Sequence, residues 1–199
     1  MSGERVFAVM IEPPLSVANG LMEATRRYFG ASEKRALKPQ LLPPERFGVP
    51  LIVCAVEADR SPDVVAMALN AAVRDLPEFA VQLDPLSPVD GAPGVVGSVL
   101  RARDQELAQI VAALSAAFER VGLEGAQSPL PFLPVAVVEG HVAAEAGEAA
   151  VPEGETRDAP LAGWLVAGLV AAEGTPGPGP GTWLLTRTAT RMLRRPGAR

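Results

Sequence analysis

The sequence predicts an α+β fold of two similar lobes, each a small mixed or antiparallel sheet with helices packed on its outside. The order strand, helix, loop, strand occurs at residues 5–56 and again at 95–142, which indicates an internal duplication. In each copy the helix ends at a glycine, Gly30 or Gly122, and a proline-bearing loop then leads into an apolar strand. The chain has 199 residues, of which 48% are hydrophobic, and this is enough to bury one core.

The first copy begins with a buried strand. Arg5–Ile11 is a short apolar run that two prolines end. Residues 15–29 carry apolar side chains at helical spacing, and a glycine follows as the C-terminal cap. Residues 31–48 are polar and proline-bearing, so we expect a loop there. A second buried strand is predicted over Val49–Val56, with Pro50 at its start or on an edge because proline cannot donate to a β-ladder.

A helix and a strand connect the two copies. Ser61-Pro62-Asp63 is typical of a helix start, with serine as the N-cap, proline at the first helical position and an acid in the first turn. Pro77 is expected to end this helix. Residues 79–83 alternate between apolar and polar, which predicts a half-buried strand.

The second copy and the C-terminal part contain the remaining predicted elements. Residues 95–100 form a strand, and Asp104 starts a helix that Gly122 ends. After them we predict a strand at 133–142, an acidic loop at 139–158, strands at 161–172 and 182–188 joined by a loop rich in glycine and proline, and a basic, flexible tail at 189–199. A single domain therefore covers residues 1–188.

The composition excludes several kinds of site. The chain has one histidine, His141, and one cysteine, Cys54, so it can form neither an internal disulfide nor a zinc site of the two-histidine or Cys/His type. The net charge of −5 argues against an overall nucleic-acid footprint. No stretch is typical of a signal peptide or a membrane span, so we expect a cytoplasmic protein with no membrane partner. We also expect no cofactor and no metal.

Two proline-bearing segments carry a resemblance to a known family. Residues 42–51 read LPPERFGVPL, and residues 131–138 read PFLPVAVV. With the order of strands, helices and closing hairpin, they resemble the two-histidine phosphoesterases, and among these the bacterial RNA 2′,3′-cyclic phosphodiesterases, also called 2′-5′ RNA ligases. The resemblance runs from Arg5 to about Thr188. It implies a LigT-like fold, in which the two lobes face each other across a central cleft.

The functional side chains of that family are missing from the matching positions. Members carry W-x-x-P-E-N-x-H-x-T-x and P-F-x-P-H-x-T-x; their histidines act as base and acid, and their threonines bind phosphate oxygens. Gly48 and Pro50 stand at the first His and Thr positions, and Val135 and Val137 at the second. Residues i and i+2 share one face of an unbroken strand, so we expect all four to line the cleft. None can carry a proton or supply a hydroxyl, so we expect no catalytic residues.

Three other residues could carry chemistry. His141 is either a surface residue at the entrance of the acidic loop or a ligand contact. Cys54 lies in an apolar strand, which favours an inert buried thiol. Ser98 follows a glycine in a strand without a nucleophile-elbow pattern, so we interpret it as structural.

Three functions are compatible with these features. The first is a catalytically inactive relative that acts as an interaction or scaffold protein, with another protein bound at Val135 and Val137 and at the cleft rim of Glu145 and Glu148. The second is a non-hydrolysing RNA or nucleotide binder, which arginines reaching in from 26–38 or 101–103 would favour. The third is a residual 2′,3′-cyclic phosphodiesterase.

Overall fold

The computed structural model describes residues 5–30, 38–56, 61, 63–74, 76–103, 105–123, 131–138, 160–176 and 183–194. They form ten strands and three α-helices. In chain order these are β1 (Arg5–Ile11), α1 (Leu15–Gly30), β2 (Pro39–Leu41), β3 (Val49–Val56), α2 (Asp63–Val73), β4 (Phe79–Leu83), β5 (Ser87–Pro88), β6 (Val95–Ala102), α3 (Glu106–Arg120), β7 (Phe132–Val138), β8 (Ala162–Val166), β9 (Gly168–Pro176) and β10 (Trp183–Met192). A short 3-10 turn, Pro44–Arg46, precedes β3.

The strands form two antiparallel sheets. The first has the order β10-β9-β1-β3, and the second has the order β2-β7-β6-β4-β8 with β5 on β6. In each lobe a helix connects two strands that pair with each other: β1 and β3 flank α1, and β6 and β7 flank α3. The predicted α+β fold of two similar lobes is therefore confirmed.

The local signals in the sequence act as expected at two helix ends. The Ser61 hydroxyl accepts a hydrogen bond from the Asp63 amide at 3.3 Å, so serine caps α2. Gly122 ends α3 with a φ of 72°, a left-handed conformation that glycine adopts without steric cost. The next amide, that of Leu123, then donates back to the Phe118 carbonyl at 3.0 Å.

One core joins the two sheets to the helices. Its fully buried side chains come from both lobes and include Phe7, Leu51, Leu83, Phe118 and Leu133. Helix α2 packs on β1, β9 and β10, α3 packs on β3 and β6, and α1 packs on β7 and β8. Each sheet therefore has one face covered by helices and an opposite face, called here the inner face. No helix among the described residues is long and apolar enough to cross a membrane.

The run predicted as one strand at 161–172 is two strands in different sheets. β8 belongs to the second sheet and β9 to the first, and the chain changes sheet at Ala167. The Ala167 carbonyl accepts a hydrogen bond from the Leu193 amide at 2.9 Å. The run is apolar throughout, so its pattern gave no sign of the change. The short strands β2 and β5, each with a proline, were not predicted either.

The tail predicted from residue 189 was placed too early. β10 continues to Met192, and Leu193 is only 5% exposed. The Arg194 amide donates to the Leu76 carbonyl at 2.9 Å, and the Glu78 amide donates to the Arg194 carbonyl at 3.0 Å. The threonines and arginines on the exposed side of β10 are also typical of a solvated tail, so composition does not distinguish the two. Residues 195–199 lie outside the described part of the chain.

We predict that Leu193→Ala lowers the free energy of unfolding by about 2–5 kcal/mol, because it leaves a cavity in the core. The matched control is the neighbouring Met192→Ala, since Met192 is 63% exposed and should change stability by no more than about 0.5 kcal/mol. Urea denaturation measures both. Equal effects of the two changes would show that Leu193 is not part of the core.

Candidate functional site

The four positions that the resemblance matches to the His-x-Thr motifs lie where the two sheets meet. Gly48 directly precedes β3 and Pro50 lies within it, while Val135 and Val137 lie in β7. Strands β3 and β7 lie beside each other between the lobes. The structure therefore brings the two segments together.

In the first lobe, the inner face at these positions is filled by an apolar side chain. Pro50 pairs with Met10 across the strands, so both lie on the inner face. Met10 packs there with Val170 and Ala172 of β9. A Cβ atom on Gly48 would lie 2.4 Å from the Met10 Cε atom and 3.2 Å from its Sδ atom. Met10 thus occupies the space that a side chain at position 48 would need.

Both segments contain a β-bulge directly after a proline. In β3, Pro50 and Ile52 pair with the consecutive residues Met10 and Val9, which leaves Leu51 without a cross-strand partner. In β7, Pro134 and Ala136 likewise pair with Gly97 and Val96, which leaves Val135 without a partner in β6; on its other side its carbonyl accepts a hydrogen bond from the Leu42 amide at 2.9 Å. A bulge of this kind adds one residue to its strand and changes the face on which the following side chains lie.

The bulge in β7 separates Val135 from Val137. Val135 is 0% exposed and packs in the main core. Val137 is half-buried and pairs with Val95, on the same face as Gly97 and Pro134. The expectation that all four positions line the cleft is therefore wrong for Val135, because the bulge interrupts the alternation on which it depended.

In the second lobe, the chain between β5 and β6 covers the inner face. Val89 and Ala92 of this connection pack with Val95 and Phe132 in a separate apolar cluster. A Cβ atom on Gly97 would lie 3.2 Å from the Val89 Cγ2 atom and 2.6 Å from the Leu133 carbonyl oxygen. Glycine at position 97 therefore lets the connection approach β6 closely. Both lobes thus fill their inner faces with side chains of this chain.

Two charged pairs also lie on the inner faces. Glu12 follows β1, and its carboxylate pairs with the guanidinium of Arg187, which lies opposite Ala172. Burial raises the pKa of Glu12 above its ordinary value, and the nearby Arg187 offsets part of that increase. Arg101 lies opposite Gln82 on the exposed side of β4, and its Nε donates to both oxygens of Asp84 at 2.8 Å.

The sequence did not identify the Glu12–Arg187 pair. Glu12 lies two residues after Met10, and this spacing could have placed it on the inner face. The position of Arg187 could not be predicted from the sequence, because a bulge at Thr188 shifts its strand and a long stretch of chain separates it from Glu12. Arg101, by contrast, was among the arginines considered for the cleft.

The other candidates are structural or lie outside the described residues. Cys54 is buried and pairs with Phe7. Ser98 is buried, and its hydroxyl donates to the Asp84 carbonyl at 2.5 Å. His141, Glu145 and Glu148 all fall outside the described part of the chain. Within that part, no three residues of the types that hold metal ions cluster together.

We predict that Gly48→Ala lowers the free energy of unfolding by about 1 kcal/mol. This is the low end for overpacking, because the displaced Met10 atoms are the flexible end of their side chain. This loss of stability should disappear in a Met10→Ala background, where the Met10 side chain no longer occupies the space beside position 48. Chemical denaturation of the four proteins in this cycle measures the coupling.

Gly20→Ala is the matched control for this cycle. A Cβ atom at Gly20, within α1, meets nothing within 4 Å, so the change should stabilise the helix by about 0.5–1 kcal/mol. It should show no coupling to Met10. A Gly48→Ala loss that persists in the Met10→Ala background would contradict the packing described here.

We predict that the Glu12 contribution to stability falls as pH rises. The folded state holds the Glu12 proton to higher pH than the unfolded chain, so the folded state binds more protons between the two pKa values. The free energy of unfolding of the wild type, minus that of Glu12→Gln, should therefore decrease through this interval. Denaturation at a series of acidic pH values measures the difference.

Arg187→Ala provides an independent check, because removing the guanidinium should raise the pKa of Glu12 further. Carbon-13 NMR of the side-chain carboxyl reports this pKa directly. If the stability difference increased with pH, or if Arg187→Ala lowered the pKa, the assignment of Glu12 would be wrong.

Several solved structures share this fold. E. coli LigT in its apo form matches with a TM-score of 0.62 at 15% identity, over 96% of this chain and 99% of that chain. TT0787 of Thermus thermophilus matches with a TM-score of 0.64 at 18% identity, over 96% and 98%. A protein described as a phosphoesterase matches with a TM-score of 0.60 at 16% identity, over 96% and 98%.

The sequence itself matches no family model and no curated protein. The likeness to known proteins is therefore one of structure, and at these identities it establishes the fold. The chain has a LigT-like α+β fold, with two lobes around a central cleft.

Proposed function

We propose that this chain is a non-catalytic relative of the RNA 2′,3′-cyclic phosphodiesterases and that it acts through protein interaction. One observation carries the proposal. The positions of the two His-x-Thr motifs hold Gly48, Pro50, Val135 and Val137, and none of these side chains can transfer a proton or donate a hydroxyl hydrogen bond.

The loss of both histidines removes the means of hydrolysis. General acid–base catalysis contributes roughly 10²–10⁴-fold for each positioned group. The packing supports the proposal, because Met10 fills the space at position 48 and Val135 packs in the core. Return of the lost side chains would therefore need rearrangement at two of the four positions.

Glu12 is a poor replacement for the lost acid–base groups. Its carboxylate is paired with Arg187, so one lone-pair direction is already directed at a guanidinium. Met10 and Val170 cover the inner face beside it. We therefore favour the protein-interaction role over residual phosphodiesterase activity.

A non-hydrolysing nucleotide binder is the second candidate, because Arg101 and Arg187 lie on inner faces. E. coli LigT has been crystallised with 3′-AMP and with ATP. In this chain, however, Asp84 pairs with Arg101 and Glu12 pairs with Arg187. A carboxylate beside each arginine competes with a phosphate for the same donors, so we favour a protein partner.

Val137 is the proposed centre of the partner contact in the cleft. Val135 is fully buried and cannot touch a partner in this conformation. Val137 retains partial exposure, and Glu145 and Glu148 remain the proposed acidic rim. Val137→Asp therefore tests the cleft contact once a partner is known, whereas Val135→Asp would place a charge in the core.

We predict that the protein does not hydrolyse a 2′,3′-cyclic phosphate dinucleotide and does not join RNA ends, because it lacks the acid, the base and the hydroxyls. The assay compares it with a relative that keeps both His-x-Thr motifs, under the same conditions. Turnover well above the buffer rate would contradict the proposal. If that turnover also survived His141→Ala, the motif positions would not decide activity.

A further inference from the structure

Asn19 and Gly20 form an asparagine–glycine pair on the outer side of α1. Both residues are exposed, and within the described part of the chain the Asn19 side chain has no hydrogen-bond partner. Glycine is a poor helix former, and packing does not require it here, since a Cβ atom at Gly20 would meet nothing within 4 Å. The side-chain amide of Asn19 therefore lies in solvent, next to a backbone nitrogen that no side chain shields.

An asparagine that is followed by glycine can react with its own backbone. The deprotonated backbone nitrogen of Gly20 attacks the Asn19 Cγ atom, the new C–N bond closes a succinimide ring, and the side-chain nitrogen leaves as ammonia. Water then adds to one ring carbonyl and breaks its bond to the ring nitrogen, which gives either aspartate or isoaspartate. Glycine favours the first step because it has no Cβ atom to hinder the attack. Water is the only other reactant.

The helix holds this reaction back. In an α-helix each amide donates to the carbonyl four residues before it, so the Gly20 amide is directed at the Ser16 carbonyl. Helical backbone angles also keep the Gly20 nitrogen away from the line of attack on the Asn19 Cγ atom. The reaction therefore requires that the start of α1 unwind as far as Gly20.

The start of α1 is weakly held. Its first turn contains no acidic residue to interact favourably with the helix N-terminus. Leu15 is 73% exposed and Ser16 is also exposed, so unwinding withdraws only Val17 and Ala18 from the core. Helix ends of this kind open locally at a lower free energy than global unfolding requires. Local opening of α1 therefore gives Gly20 access to Asn19 in a protein that is otherwise folded.

The other asparagine of the chain differs in each of these respects. Asn70 lies in α2 and is followed by Ala71, whose Cβ atom hinders attack by the backbone nitrogen. Its Oδ1 atom accepts a hydrogen bond from the Nε of Arg191, which fixes the side chain against β10. Asn70 is therefore a protected site within the same molecule, against which Asn19 can be compared.

We propose that Asn19 is a deamidation site of this protein, converted through a succinimide to aspartate and isoaspartate when the start of α1 opens. In isoaspartate the main chain runs through the former side chain, so it gains an extra atom and cannot keep helical hydrogen bonding at this point. The isoaspartate product therefore keeps the start of α1 unwound. The proposal is independent of the loss of catalysis, because α1 contains none of the motif positions.

Incubation of the folded full chain at mildly alkaline pH, followed by peptide mapping with mass spectrometry, tests the proposal. The peptide that contains Asn19 should gain the mass difference between an amide and a carboxyl group and separate into aspartate and isoaspartate forms. The peptide that contains Asn70 should stay unchanged. Gly20→Ala should slow the conversion of Asn19 about two- to fivefold through helix stability alone, and further because its Cβ atom hinders the attack.

Leu15→Glu and Leu15→Lys form a matched pair that leaves Asn19 and Gly20 intact. An acid in the first turn stabilises the helix start and a base weakens it, so the first variant should slow the conversion and the second should speed it, each about two- to fivefold. In urea, where the helix is absent, both variants should convert at the wild-type rate. Conversion of Asn19 no faster than that of Asn70 would overturn the proposal, as would equal rates in the two folded Leu15 variants.

Discussion

A β-bulge after each of two prolines, Pro50 and Pro134, shapes the region between the two lobes. In each bulge the residue after the proline has no partner across the bulged pair: Leu51 has none in β1, and Val135 has none in β6. Both bulged residues are buried in the main core. The bulges therefore add two apolar side chains to the core beside the cleft, and the orientation of every later residue in the strand follows from this slip.

Apolar side chains also fill the inner faces of both lobes. Met10 fills the space at Gly48, and Val89 and Ala92 cover the inner face of the other lobe. Burying a side chain of the size of methionine or valine stabilises the fold by about 1.5–3 kcal/mol. The proposed non-catalytic role is compatible with this packing, since that role requires no open phosphate pocket. The retained charges on the inner faces are paired with each other rather than left for a ligand.

The sequence predicted the elements whose signals are local. Neighbouring residues determine the Ser61 cap, the Gly122 end of α3 and the apolar runs of β1 and β3. They also determine the repeated order of elements. The face on which each β7 side chain lies is not a local property, because it depends on how β7 pairs with β6. The change of sheet at Ala167 and the Glu12–Arg187 pair were missed for the same reason, since both join parts of the chain that are distant in sequence. At the candidate site, Gly48, Pro50 and Val137 lie on the inner face, whereas Val135 is buried in the main core because of the bulge in β7.

The central claim is that side chains of this chain fill the inner faces beside Gly48 and Val137. A titration with 3′-AMP, followed by backbone amide NMR, tests it most directly. The account predicts no saturable shifts at the amides of Gly48 and Val137, because Met10 lies where a side chain at position 48 would be and the cluster of Val89, Ala92, Val95 and Phe132 offers a phosphate no charged or hydroxyl group. Saturable shifts at both amides, with one common Kd, would contradict it and would establish a working nucleotide site in the cleft.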